Sequence, residues 1–173
     1  MTSKRFCLSS RNPRFPRNPL FPHIQKYNHH HMKQSLPGIT AIRYLECSRL
    51  PSNLEMKSLV GVPIGIYDIM TSVCFTGHPT CITESEYDQH AQSEKTVLTF
   101  QTTDELPVRR QLAFVVSDIQ GRLYLIGHNE APYPTVKRTG QLGTPAEEKA
   151  GYTYEVTLIG RKTLIKLSQS VDL

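Results

Sequence analysis

Tyr152-Thr153-Tyr154-Glu155-Val156-Thr157-Leu158-Ile159 alternates apolar and polar side chains along almost its whole length. A period of two belongs to an extended strand, because successive side chains leave a pleated backbone on opposite faces. Tyr152, Tyr154, Val156 and Leu158 are therefore expected to face an interior, and Thr153, Glu155 and Thr157 to face water.

Leu112 to Val116 and Leu123 to Ile126 depart from this alternation by being almost wholly apolar. That pattern fits strands covered on both faces. Between them lies Asp118-Ile119-Gln120-Gly121, a turn signature in which Asp accepts local backbone hydrogen bonds and Gly supplies positive φ. Residues 112–126 read as a hairpin at the centre of the fold.

Outward from this hairpin, β-branched and aromatic runs broken by Gly, Pro, Asn and Asp predict strands at Thr40–Cys47, Val62–Met70, Thr71–Thr76, Thr96–Thr102, Thr135–Thr139 and Thr163–Leu167. The fold expected is all-β: a single-domain sandwich or partly open barrel of about nine strands, with one short helix in a loop. The helix is placed at Thr144-Pro145-Ala146-Glu147, which has an N-cap, a first-turn Pro and a capping-box Glu, with Gly151 to end it. Thr83-Glu84-Ser85-Glu86 offers a second capping box, but no apolar face follows it, so a loop is an equal reading.

The 173 residues suffice for one core, expected over residues 38–170. Residues 1–37 read as a disordered basic tail. Lys4, Arg5, Arg11, Arg14, Arg17 and Lys26 fall in the first 31 residues without an acidic partner, which leaves 14 basic and 15 acidic side chains on the remaining 142. The body is nearly neutral, so nucleic acid is expected as a partner only through the tail.

Within the tail, Arg-Asn-Pro-Arg-Phe-Pro is followed by Arg-Asn-Pro-Leu-Phe-Pro, with prolines at 13, 16, 19 and 22. Three is the polyproline II period, so prolines and arginines line separate edges. An adaptor ligand, a cationic arm for nucleic acid or anionic lipid, and a transit peptide would each use that geometry, although regular prolines oppose the amphipathic helix of a transit peptide. Composition changes abruptly at Met32, so an over-extended gene model with Met32 as the true start is an equal alternative to a translated tail.

The longest charge-free apolar run, Ser58–Tyr67, is about half of the ~20 residues that span a bilayer, and Pro63 interrupts it. Cys7, Cys47, Cys74 and Cys81 are too few and too scattered for a disulfide framework. Reduced thiols and a cytoplasmic protein, or one incorporated in a virion-like particle, are expected.

Three soft-metal ligand types fall close together in Cys74-Phe75-Thr76-Gly77-His78-Pro79-Thr80-Cys81, with Cys47 and His90 elsewhere. Cys74, His78 and Cys81 are thus the candidate metal ligands, although their spacing matches no common zinc knuckle. The competing reading makes Gly77-His78-Pro79 a hairpin turn and the cysteines small apolar side chains. Cys81, His78, His90, Asp118 and His128 supply residue types for nucleophilic catalysis without a local arrangement such as Gly-x-Ser-x-Gly, so no catalytic residue is assigned.

His128-Asn129-Glu130 reads as a polar loop closed by Pro132 and Pro134. No glycine-rich phosphate loop joins a strand to a helix, and no cofactor is expected. Tyr44, Tyr67, Tyr124 and Tyr133 are read as strand and turn packing.

Val97-Leu98-Thr99-Phe100-Gln101-Thr102-Thr103-Asp104 and Gly151-Tyr152-Thr153-Tyr154-Glu155-Val156-Thr157 resemble small β-rich proteins encoded in bacterial prophage-like regions. The resemblance covers less than half the chain and transfers no functional residue. It implies a virion or tail-assembly component similar to β-sandwich or β-barrel tube and joining proteins. The function expected is non-enzymatic: structural or assembly work by association with protein subunits, the chain's own or neighbouring ones, through strand edges and the Gly140–Gly151 loop. A ligand- or protein-binding sandwich module is the second reading, and a zinc- or thiol-dependent enzyme the third.

Overall fold

The computed structural model describes residues 30–36, 38–60, 66–88, 91–141 and 151–167. Among them are ten strands, one α-helix and two 3-10 turns. The strands are β1 (His30–Ser35), β2 (Ile39–Glu46), β3 (Thr71–Val73), β4 (Phe75–Asp88), β5 (Ala91–Thr102), β6 (Leu112–Asp118), β7 (Leu123–Ile126), β8 (Thr135–Gln141), β9 (Gly151–Gly160) and β10 (Ile165–Leu167). The helix, α1, spans Leu54–Val60.

The strands form two antiparallel sheets of five, ordered β1-β4-β5-β9-β8 and β10-β7-β6-β2-β3. They pack face to face as a β-sandwich, and the barrel is not closed. Period two produces this core: Leu98 and Phe100 of β5, with Tyr154, Val156 and Leu158 of β9, point inward against Ile42, Leu112, Phe114, Val116 and Ile126 of the other sheet. Phe100 stacks on Tyr154 at 5.5 Å between ring centroids and tilts against Phe114 at 6.1 Å. Truncating either fully enclosed phenylalanine to Ala would cost about 3–5 kcal/mol in lost transfer and cavity energy.

The apolar runs of the central hairpin have their cause on the other side of the second sheet. There Ala113, Val115, Leu123, Leu125, Ile165 and Leu167 meet Leu45, Cys47, Leu50, Leu54 and Ile66 in a second core. α1 belongs to this outer layer, tied to β10 by Ser58 Oγ, which donates to the Lys166 carbonyl at 2.7 Å. The hairpin turn is as expected: Gly121 has φ +75°, and Asp118 Oδ1 accepts the N–H groups of Gln120 and Arg122 at 2.8 Å each. Where the chain leaves β7, Gly127 has φ +140°, and a Cβ there would lie 2.6 Å from that of Ala113.

Several expectations are corrected. His30–Ser35, within the stretch assigned to the tail, belong to the sheet, because β1 pairs with β4 from His30↔Tyr87 to Ser35↔Ile82. Thr83-Glu84-Ser85-Glu86 is strand, fully in register with Ser93–Thr96. Of Val62–Met70, the described part from Ile66 is no strand: Ile66 is buried in the outer core, and a 3-10 turn follows over Tyr67–Ile69. The helix proposed at Thr144–Glu147, most of the Gly140–Gly151 loop and the proline-arginine repeat lie outside the described residues.

Candidate functional site

The cysteine-histidine segment is built into one strand. Gly77-His78-Pro79 makes no hairpin turn: β4 runs on from Thr76, opposite Gln101, to Thr80, opposite Thr99, so three residues occupy the place of one. This is an enlarged bulge, with Gly77 at φ +73° to make the bend. Pro79 offers no N–H for pairing there, and bulges and prolines both discourage strand addition at an edge.

The bulge leaves Cys81 and His78 in opposite environments. Cys81 is 1% exposed in the sandwich core, and burial pushes its thiol up to about 12. Cys47 is buried in the outer core, and desolvation pushes it up to about 11. A thiol held protonated is a poor nucleophile and a poor metal ligand. Cys74 and His78 are exposed, and the Cys74 N–H donates to Asp104 Oδ2 at 3.3 Å. Among the described residues no three His, Cys, Asp or Glu side chains converge as a metal set. His90 lies outside the described residues.

Asp118 and His128 also do separate work. Asp118 is 1% exposed and holds the β6–β7 turn, while its Oδ2 has no hydrogen-bond partner. Nε2 of His128 lies 3.0 Å from the Lys162 carbonyl, which requires the proton on that nitrogen.

Three surface features remain. One is the outward face of α1. Leu54 is buried beneath the helix, whereas Met56, Leu59 and Val60 are 65%, 81% and 76% exposed. Beside it opens a cleft of about 340 Å³, lined by Asn53, Glu55, His128, Asn129, Glu130 and Arg161 among others. This cleft joins the start of α1 to the 128–132 loop and the end of β9.

A second cleft, of about 500 Å³, lies at the β8 edge, where Leu106–Arg110 of the β5–β6 loop meet Glu105 and Arg138. Arg138 pairs in register with Tyr154, so it projects from the core-facing side of an edge strand. It bonds to Glu105, which raises its pKa, and its guanidinium lies 5.2 Å from the centroid of the Tyr152 ring. Arg110 pairs with Glu46. The loop beneath is fixed from several sides: the hydroxyl of Tyr154 accepts the Leu106 N–H, Thr102 Oγ1 accepts the Asp104 N–H at 3.0 Å, and Pro107 O accepts the Arg110 N–H at 3.0 Å.

Sequence reasoning missed both the helix face and the arginine cleft. Arg109-Arg110 was visible as a basic pair, but Arg138 joins it only through the pairing of β8 with β9. No helix of the described residues is long and apolar enough to cross a membrane. Comparison with family models, with curated proteins and with solved structures found no match.

Proposed function

We propose that the chain is a non-enzymatic assembly module that associates with a second copy of itself through the outward face of α1. The observation that carries this reading is the exposure of Met56, Leu59 and Val60 on a helix whose opposite side is fastened to β10. Clustered large apolar side chains in water mark an association surface more often than chance scatter does. Glu55 and Lys57 flank the cluster with opposite charges. A two-fold axis running along the helix would bring Glu55 of one copy toward Lys57 of the other, the self-complementarity a symmetric dimer needs. A virion or tail component, the setting implied by the resemblance of Val97–Asp104 and Gly151–Thr157, would use such an interface repeatedly.

Sedimentation velocity over a wide concentration range tests this. Self-association that is abolished by Leu59→Glu and by Met56→Glu, with unchanged circular dichroism, is expected. A wild-type chain that stays monomeric throughout, or association that both substitutions leave intact, overturns the proposal.

A ligand-binding module is the second reading, favoured by the cleft beside α1. Its volume is in the range of small-molecule sites, and it gathers Glu55, Glu130, His128 and Arg161 with two asparagines. Ligand-induced shifts at His128 and Arg161 in the monomeric Leu59→Glu chain would favour this reading over assembly.

A further inference from the structure

We infer that the arginine cleft at the β8 edge is a binding site for a phosphate-class oxyanion. Three guanidinium groups, Arg109, Arg110 and Arg138, line it against a single lining carboxylate, Glu105. Guanidinium is the side chain best suited to oxyanions, because its planar fork donates paired hydrogen bonds. The nearest carboxylates each serve one arginine, Glu46 on Arg110 and Glu105 on Arg138. Among the described residues Arg109 has no ion-pair partner, so the wall keeps an excess of positive charge.

The geometry selects the class of anion. A carboxylate ligand would only exchange like for like with Glu46 and Glu105. A phosphate carries up to two charges and more acceptor oxygens, so it bridges guanidiniums that a single carboxylate serves one at a time. Arg110 and Arg138 are also held in advance by their carboxylate partners. Arg138 is flanked by Tyr152 and Glu105, and the loop bearing Arg109 and Arg110 is pinned by the Tyr154 hydroxyl and by the Pro107 carbonyl. Holding two of the three long side chains, and the loop that carries the third, before the ligand arrives removes part of the entropy cost of binding.

An inward-pointing arginine is also a device that keeps an edge strand from pairing with another chain. That role explains one charge on β8. It does not explain Arg109 and Arg110, which arrive from a different loop.

The test is titration of the full chain with inorganic phosphate at low ionic strength, followed by amide chemical shifts. Saturable shifts across residues 105–110 and 138 are expected. Arg109→Ala, at an exposed position where folding is not at stake, should weaken binding about tenfold, and Arg138→Ala by at least as much. Glu105→Gln should tighten it by removing the competing carboxylate. Vesicles of phosphatidylcholine with phosphatidic acid form a second arm: capture by them, lost in Arg109→Ala, would make a lipid headgroup the source of the same oxyanion. No response in either arm overturns the inference. So does binding that survives Arg109→Ala and Arg138→Ala together, which assigns it to other basic residues of the chain.

Discussion

The hydroxyl of Tyr154, a side chain with no exposed surface, accepts the backbone N–H of Leu106 at 2.9 Å from 48 residues away. One residue thereby joins the sandwich core to the loop that carries Arg109 and Arg110. Tyr154→Phe keeps the ring stack on Phe100 but leaves a buried N–H without an acceptor. It should destabilise the protein by about 1–3 kcal/mol, read as a lower urea midpoint at unchanged slope. Hydrogen exchange at Leu106 should accelerate more than at Val156.

Thr96 links two hydroxyls at the far end of the core. Its Oγ1 lies 2.8 Å from that of Thr83 and 2.7 Å from that of Thr163, all three buried. The Thr163 N–H in turn donates to Oε2 of the buried Glu94 at 3.0 Å, while Gln92 Nε2 donates to Oε1 at 3.0 Å. Thr96→Val is nearly isosteric, yet it deprives two buried hydroxyls of a partner at once. A loss of about 2–4 kcal/mol is expected in urea unfolding, and the triple valine variant at 83, 96 and 163 should recover part of it.

Asp118 provides a contrast between its own two oxygens. Oδ1 accepts two N–H groups and Oδ2 none. Asp118→Asn retains the used acceptor and should cost markedly less than Asp118→Ala, which removes it and should cost about 1–3 kcal/mol. Equal losses in thermal unfolding would show that the turn does not depend on Oδ1.

Buried thiols set an alkaline limit. In the native state Cys47 and Cys81 hold their protons to about 11 and about 12, against an ordinary 9.0. Unfolding releases those protons once the pH exceeds 9.0, so the native state then binds more protons than the unfolded chain. Stability from this source is complete below 9.0 and falls as pH rises toward 11 and 12. The slope of unfolding free energy against pH should flatten in Cys47→Ala/Cys81→Ala. Peptide mapping after brief maleimide treatment should find Cys74 modified, and Cys47 and Cys81 modified only in denaturant.

Much of the architecture was legible because local pattern and environment agree. Alternation in Tyr152–Leu158 marks a sheet with one open face, and the unbroken apolar runs of β6 and β7 mark the sheet with two cores. The helix Leu54–Val60 was not legible. Its apolar side chains do not share an inward stripe: Leu54 turns in, while Met56, Leu59 and Val60 turn out. Gly77-His78-Pro79 carries turn chemistry but is spent on a bulge, a choice made by pairing with β5 and not by the three residues themselves. Neither surface cleft has a sequence signal, since each gathers residues from distant loops and strand ends.

The bulge in β4 also has an arithmetic. Two surplus residues between Thr76 and Thr80 preserve parity, so Phe75 before it and Cys81 and Thr83 after it look toward the same interior. Removing His78 alone would leave two residues opposite Phe100, a bulge of the common kind, and pairing with Leu98 and Thr96 would still hold Cys81 and Thr83 inward. Excising Gly77 and His78 together would leave Pro79 alone opposite Phe100 and remove the bulge, with the same residues inward. The partner strand thus decides which way these side chains look, and the bulge is where the chain can change length without emptying the core.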